Sequence, residues 1–162
     1  MEKKKIIVRS YKSGDAQDLA RIYYNTIHEV NAKDYSEIQL DAWAPKSSIE
    51  TEGWSKKFAK SNPFVAVIDE TLVGFAEFEP NGHIDCFYCH HEWIGFGVGK
   101  ALMNAIHENA GNNNISKIFA EVSITARPFF EKHGFTVTEK QKVSIDGKEL
   151  INFKMEKVLN QN

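Results

Sequence analysis

A short apolar run precedes a long helical pattern at the start of the chain. Residues Ile6 to Tyr11 are typical of a strand, and Ser13-Gly14 of the turn that follows it. From Asp15 onward the apolar positions recur with the period of an α-helix. This period places six side chains on one face: Leu19, Ile22, Tyr23, Thr26, Ile27 and Val30. The pattern therefore predicts a strand and then an amphipathic helix.

Two shorter helices are predicted before residue 64. Ser36 and Gln39 have the spacing of a capping box, which opens a helix through Trp43 that Pro45 ends. A third helical segment, around Trp54 to Ala59, is closed by Asn62-Pro63.

The period changes in the middle of the chain, where three strands are predicted over 64–68, 72–78 and 83–89. The turns Asp69-Glu70 and Asn81-Gly82 join them, and connections this short make neighbouring strands antiparallel. A glycine-rich turn and a helix from about Gly97 to Asn109 follow. The buried face of that helix is predicted to carry Val98, Ala101, Leu102, Ala105 and Ile106.

The last part of the chain predicts a strand over 117–122, a short helix carrying Phe129 and Phe130, and a closing hairpin. Thr125 is placed to cap the short helix, and Gly134 to end it. Strands over 135–145 and 148–157 flank Asp146-Gly147, a strong hairpin signal. The order of elements predicts one α+β domain over residues 1–162, with a mixed, mostly antiparallel sheet of about seven strands flanked by helices.

Composition limits the class of protein. The 162 residues carry 20 Lys and Arg against 22 Asp and Glu, a net charge of −2, which argues against a nucleic-acid binder. Two cysteines cannot build a disulfide framework. No apolar run approaches the roughly 18 residues of a membrane span, and the N-terminus lacks the apolar region of a signal peptide. We therefore expect a cytoplasmic protein.

The turn from Ile94 to Lys100 is the first candidate for chemistry. Its glycines leave backbone N–H groups unobstructed at the start of a helix, where the helix dipole favours an anion such as a phosphate. A plain strand-to-helix turn is the alternative. The turn lacks the Gly-Lys-Ser/Thr ending of a Walker loop, and Lys100 stands where a Rossmann turn has its third glycine.

Two segments together resemble the GNAT superfamily of N-acetyltransferases. The strand ending Phe87-Tyr88-Cys89, the turn ending Gly97-Val98-Gly99 and the following helix resemble that family's acetyl-CoA signature. The segment from Ser123 to Phe135 resembles its next motif, and the order of elements matches over essentially the whole chain. The stretch from Tyr35 to Pro45 further resembles a subgroup of small bacterial members. The resemblance implies the acyl-CoA N-acyltransferase-like fold.

The resemblance also implies where acetyl-CoA binds. In the family, the strands matching 83–89 and 117–122 run parallel and diverge, and the pantetheine amides pair with the freed backbone of Phe87 and Cys89. The pyrophosphate lies on amides from Gly95 to Lys100. The cofactor-binding residues implied in this way are Phe87, Tyr88, Cys89, Gly95, Phe96, Gly97, Val98, Gly99, Lys100, Ser123 and Phe130. No metal is expected.

Three positions depart from the family pattern. Ile94 stands where the turn often begins with Gln or Arg, and Ser123 stands where Asn is frequent. Phe130 replaces the Tyr that often protonates the departing thiolate, so another donor is needed: Tyr88, Ser123 or a water molecule. A non-catalytic acyl-CoA-binding or sensing module is the alternative function that this replacement favours.

Acetylation of an amine needs a group that takes a proton. Asp85 and His83 share a strand face by the two-residue period, and they are the predicted catalytic residues. The alternative is that both are ordinary polar residues on a solvated face. Glu121, Glu77 and Glu79 are weaker candidates.

The run from Cys86 to His90 matches C-x-x-C-H, a pattern of haem, zinc or redox sites. An offset of three on a strand points the two sulfurs to opposite faces, so core packing is the better explanation of Cys86.

Aromatic residues of the first helices are expected on the acceptor side of the cleft, as the resemblance implies. Tyr24, His28 and Trp43 are the candidate substrate-binding residues, with core packing as the alternative. The predicted partner is a small-molecule or peptide amine, with no nucleic acid or membrane, and the protein is expected to be a monomer or a homodimer.

Overall fold

A computed structural model of the protein describes residues 4–159, and these residues form seven strands and five α-helices. The strands are β1 (Ile7–Ser10), β2 (Phe64–Ile68), β3 (Thr71–Phe78), β4 (His83–Cys89), β5 (Lys117–Ser123), β6 (Thr136–Ile145) and β7 (Lys148–Val158). The helices are α1 (Ala16–Glu29), α2 (Glu37–Trp43), α3 (Thr51–Ser61), α4 (Val98–Asn112) and α5 (Arg127–Lys132).

The seven strands form one sheet in the order β1-β2-β3-β4-β5-β7-β6. Every neighbouring pair is antiparallel except β4 and β5, which run parallel. The predicted fold class, a mixed and mostly antiparallel sheet flanked by helices, is confirmed. The three predicted turns between strands are also present. Both residues of Asp69-Glu70 and of Asp146-Gly147 have positive φ, as a tight two-residue turn between twisted strands requires, and in Asn81-Gly82 the glycine does.

Helices cover both faces of the sheet. On one face α4 contributes Leu102, Met103 and Ile106 to a core that also contains Ile118 and Val122 of β5. On the other face α1 and α3 pack against β2 to β4, with side chains such as Leu19, Ile22, Phe58, Phe75 and Cys86. Within residues 4–159, no helix combines the length and the apolar character needed to cross a lipid bilayer.

The capping box that opens α2 is present in both directions, with Ser36 and Gln39 bonded to each other's backbone. Two helices are longer than predicted: α3 spans Thr51–Ser61, and α4 reaches Asn112. In α4, Met103 and Ala110 are fully buried, whereas Ala101 and Ala105 are only half-buried.

The predicted cap of α5 is wrong. The residue before α5 is Ala126, and no side chain caps the helix at that position. The hydroxyl of Thr125 instead donates to Asp34 Oδ2 at 2.8 Å. The backbone N–H of Ala126 donates to Ser123 Oγ at 3.0 Å, so the serine before the turn stabilises the chain entering α5.

Candidate active site

The parallel strands β4 and β5 separate soon after they meet. Only His83 and Ile84 of β4 are in register with β5, opposite Phe119 and Ala120. On the other edge of β4, Phe87 pairs with Ala76 and Ile84 pairs with Phe78, so two residues of β4 lie opposite one residue of β3. This irregularity is a β-bulge at Asp85-Cys86, and bulges bend the strand that carries them. The divergence leaves a gap in the middle of the sheet.

The outer edge of β4 faces this gap. The N–H of His90 donates to Val73 on β3 at 2.8 Å. Because backbone groups alternate along an antiparallel pair, the N–H and C=O groups of Phe87 and Cys89 point away from β3 and into the gap. The carbonyl of Cys89 accepts a hydrogen bond from Thr26 Oγ1 of α1 at 2.7 Å. A ligand with amide groups can therefore pair with β4 as an added strand does.

The glycine turn lies at the end of the same strand. Gly95 and Gly97 have φ values of 89° and 90°, which favour glycine, and Gly97 is the residue that precedes α4. The first turn of α4 contains no acidic residue. Gly99 is closely approached by the ring of Phe129, since a Cβ there would lie 2.8 Å from it. The N–H of Phe96 donates to the carbonyl of Trp93 at 3.4 Å. The turn thus presents the unpaired backbone N–H groups of the first turn of α4 and the positive end of a 15-residue helix.

A cavity of about 630 Å³ joins the gap to the glycine turn. Asp85, Trp43 and ten of the predicted cofactor residues line it: Phe87, Tyr88, Cys89, Gly95, Gly97, Val98, Gly99, Lys100, Ser123 and Phe130. Four predicted site residues do not line it. Phe96 is 54% exposed and packs on Trp93, and His83 lies outside the lining. Tyr24 and His28 stack on each other, with their ring centres 4.3 Å apart.

The model of the acetyltransferase (GNAT) domain family matches residues 31–157, which is most of the chain. The chain belongs to the GNAT acetyltransferase family. A curated relative from Escherichia coli (strain K12), the uncharacterized N-acetyltransferase YafP, is 33% identical over 150 residues, which cover 93% of this chain and 94% of YafP.

Solved structures share the fold over nearly the whole chain. A GCN5-related N-acetyltransferase from Rhodopseudomonas palustris matches with a TM-score of 0.90 and 31% identity, over 98% of this chain and 99% of that one. The PaiA N-acetyltransferase from Thermoplasma acidophilum, solved with coenzyme A, matches with a TM-score of 0.76 and 22% identity, over 96% and 99% of the two chains. The predictions of family and activity are confirmed: this GNAT protein is an acetyl-CoA-dependent N-acetyltransferase whose acceptor is a small-molecule or peptide amine.

Asp85 is held by a lysine at the rim of the site. Lys57 Nζ of α3 lies 3.0 Å from Asp85 Oδ2 and 2.9 Å from Glu77 Oε1, and it donates to Cys86 Sγ at 3.5 Å. Burial would lower the pKa of Lys57, but the Cys86 sulfur and the two carboxylates outweigh burial and raise it. Glu77, Asp85 and Cys86 are close enough together to share a cation, and the ammonium group of Lys57 is the cation they hold.

His83 has carboxylates on both ring nitrogens. Nδ1 bonds to Glu79, and Nε2 lies 2.8 Å from Glu121 Oε2. Burial would lower the pKa of His83, but these two hydrogen bonds raise it above its ordinary value. Two carboxylate partners favour the protonated imidazolium, and neither ring nitrogen is left free to accept a proton.

Ser123 brings a hydroxyl proton to the lining of the cavity. Its Oγ accepts hydrogen bonds from the N–H of Ala126 at 3.0 Å and from Asn31 Nδ2 at 3.3 Å. A hydroxyl accepts two hydrogen bonds and donates one, and no described residue receives the proton of Ser123. Phe130, at the position of the family's usual Tyr, is buried between Phe87 and Phe135 and carries no such proton.

The two cysteines of the C-x-x-C pattern lie on opposite faces of the sheet. Cys86 packs in the core under α1 and α3, and Cys89 packs on the α4 side. Burial raises the pKa of Cys89 to about 12, so its sulfur stays a neutral thiol at the edge of the cavity.

The sequence reasoning missed several lining residues. Thr26 and Asn31 come from α1 and the turn after it, and Lys132 and His133 come from the end of α5. The helical period places Thr26 on the buried face of α1 but does not reveal its partner. The sequence identifies Lys132 and His133 only as basic residues near the end of a helix.

Proposed function

We propose that this GNAT acetyltransferase binds acetyl-CoA along the open edge of β4 and transfers the acetyl group directly to an amine. The observation that carries the proposal is the divergence of β4 and β5, because it places an unpaired strand edge beside the N–H groups of the glycine turn within one cavity. The main chain of Phe87 and Cys89 would pair with the pantetheine amides. The amides from Gly95 to Lys100 would bind the pyrophosphate.

The chemistry of the transfer needs three functions from the chain. The donor supplies an activated thioester. The N–H of Cys89, aimed into the gap, would stabilise the negative charge that develops on the thioester oxygen. Ser123 would hydrogen-bond to the departing thiolate and donate its proton to it, while the serine oxygen takes a proton back from solvent water. Asp85 would take the proton of the acceptor amine through Oδ1, the oxygen that Lys57 leaves free.

The acceptor would enter from the side of α1 and α2. Trp43 lines this end of the cavity, together with Asp85 and Glu121. We propose that Trp43 contacts the acceptor, and that Tyr24 and His28 act only by supporting it, because His28 Nε2 lies 2.7 Å from the carbonyl of Ala44, next to Trp43. His83 would serve as a fixed positive charge between Glu79 and Glu121 and would not act as the base. The cytoplasm is the proposed compartment, on composition alone.

Substitution of Gly97 tests where the donor binds. Gly97→Glu adds a negative charge and a strained side chain next to the proposed pyrophosphate site, so we expect the affinity for CoA, measured by titration calorimetry, to fall more than tenfold. Gly97→Ala carries the strain without the charge and should lose less. Gly111→Glu, in open space at the far end of α4, should bind CoA as the wild type does.

Thiol release from acetyl-CoA in the presence of a panel of small amines and peptides then identifies the acceptor. Unchanged CoA affinity in Gly97→Glu would refute the placement of the donor. A wild-type protein that binds no CoA would refute the proposed function itself.

A further inference from the structure

Five basic side chains gather around the end of α5, where it meets α4 and β7. They come from three elements and are named here the basic cluster: Lys100 and His107 of α4, Lys132 and His133 at the end of α5, and Lys157 of β7. Lys100, Lys132 and His133 line the cavity itself.

Contacts among these elements fix the cluster. His107 Nδ1 lies 2.8 Å from the carbonyl of Met103, and a carbonyl only accepts, so Nδ1 carries the proton. Nε2 is then the acceptor for Lys157 Nζ at 2.9 Å. The ring of His133 packs against Phe129, with centroids 4.4 Å apart, and Phe129 in turn contacts Gly99. The end of α5 is thus held directly over the start of α4.

The charge of the basic cluster is not neutralised by the protein. Across residues 4–159, Lys100, Lys132 and Lys157 take part in no ion pair within 4.0 Å, although acidic residues outnumber basic ones in the sequence. Lys100 stands in the first turn of α4, where the helix dipole disfavours a cation and where no acidic residue compensates. Burial and the surrounding positive charges lower the pKa of His133. An anion bound beside the basic cluster would offset this repulsion.

We propose that the basic cluster binds the 3′-phosphate on the ribose of the donor, and that this acetyltransferase therefore selects 3′-phosphorylated CoA over dephospho-CoA. The inference rests on the proposed function, which assigns the pyrophosphate to the neighbouring amides. The 3′-phosphate is the remaining anionic group of CoA. A phosphomonoester carries about −1.5 to −2 charges at neutral pH, and lysine ammonium groups bind it as point charges.

Direct binding measurements test this inference without an acceptor substrate. Titration calorimetry compares CoA with dephospho-CoA, which differ only in the 3′-phosphate. We expect the wild type to bind CoA at least tenfold more tightly, because charge-assisted hydrogen bonds to the phosphate are lost in the second ligand. The difference should shrink at high salt, since Lys100 and Lys132 are exposed.

Substitutions of lysine test whether the basic cluster causes the preference for CoA over dephospho-CoA. The double variant Lys100→Met/Lys132→Met keeps every backbone amide and should bind CoA and dephospho-CoA about equally. Lys60→Met removes an exposed lysine of α3, on the other face of the sheet, and should keep the wild-type preference. Single variants should each lose part of it.

Two outcomes would overturn the inference while leaving the proposed function intact. One is equal affinity of the wild type for the two ligands, and the other is a preference that persists in the double variant. Failure of both ligands to bind the wild type would refute the proposed function as well.

Discussion

The role of Ser123 depends on which of its hydrogen-bonding positions are occupied. The N–H of Ala126 and the amide of Asn31 saturate its oxygen as an acceptor, so the hydroxyl proton is left to point toward the cavity. Phe130 cannot act as an acid, and we propose that this proton takes its place. The same two hydrogen bonds hold the oxygen in place and make the donor pre-organised.

Replacement of Ser123 should separate catalysis from binding. In Ser123→Ala we expect kcat to fall by roughly a hundredfold, the lower end of the range for general acid catalysis, with KM for acetyl-CoA nearly unchanged. Ser123→Thr keeps the hydroxyl and should retain most of kcat. The measurement is thiol release with the acceptor found in the screen. A variant that loses affinity for acetyl-CoA and keeps kcat would show that Ser123 only shapes the cavity.

The sequence predicts some of the residues in the site but not most of the side-chain contacts that they make. The glycine turn and Ser123 are recognisable because local backbone geometry and motif spacing restrict them. The contact of His83 with Glu121 is not recognisable, because Glu121 lies 38 residues away and meets His83 only after β5 is paired. The prediction that Thr125 caps α5 is wrong for a similar reason. Its hydroxyl could cap a helix, but it donates instead to Asp34, 91 residues away.

At the scale of elements, the site depends on the way α1 holds the end of β4. The peptide group between Cys89 and His90 is fixed at both ends, since its N–H donates to Val73 and its C=O accepts from Thr26. Thr26 is 7% exposed, so the hydrogen bond is shielded from water. This clamp keeps β4 from closing onto β5 and leaves the N–H of Cys89 free in the gap.

Thr26→Val should loosen this clamp with little change in shape. An unpaired Cys89 carbonyl should lower the free energy of unfolding by about 1–3 kcal/mol, measured by urea denaturation. The affinity for CoA should fall in the same variant, because the edge of β4 is no longer fixed. Thr26→Ser restores the hydroxyl and should recover both properties. Reduced stability with unchanged CoA affinity would make Thr26 a purely structural residue.

Turns, caps and bulges can likewise be predicted from the sequence when their cause is local, and not when it is distant. The capping box of α2 and the hairpin turn Asp146-Gly147 were predictable, because each involves residues within four positions of one another. The bulge at Asp85-Cys86 was not, since it exists only relative to β3. That bulge sets the divergence of β4 and thus the position of the whole site.

In the whole molecule, the weakest junction of the sheet is the one between β4 and β5, where the fewest residues are paired. Strands β1 to β4 form one half, β5 to β7 form the other, and two residues of β4 are in register with the second half. His83 strengthens this junction, because its imidazolium bonds to Glu79 after β3 and to Glu121 on β5. The protonation of one histidine therefore contributes to the cohesion of the two halves.

The stability of the protein should depend on pH through this histidine. Burial opposes the charged form of His83, but Glu79 and Glu121 outweigh burial and raise its pKa above 6.5. A raised pKa in the folded state contributes stability that is fully present below the unfolded pKa and is lost as the pH rises through the folded pKa. The contribution of His83 should thus be complete below about pH 6.5 and vanish above its folded pKa.

Urea denaturation between about pH 5.5 and 8.5 measures this contribution as a fall in the free energy of unfolding with rising pH. His83→Gln should flatten the fall. His90 supplies a matched control of opposite sign, because burial and the charge of His91 lower its pKa. A lowered histidine pKa adds stability as the pH rises, so His90→Gln should steepen the fall. If His83→Gln leaves this slope unchanged, the protonated histidine does not stabilise the sheet. The junction of β4 with β5 then depends on its backbone and core contacts alone.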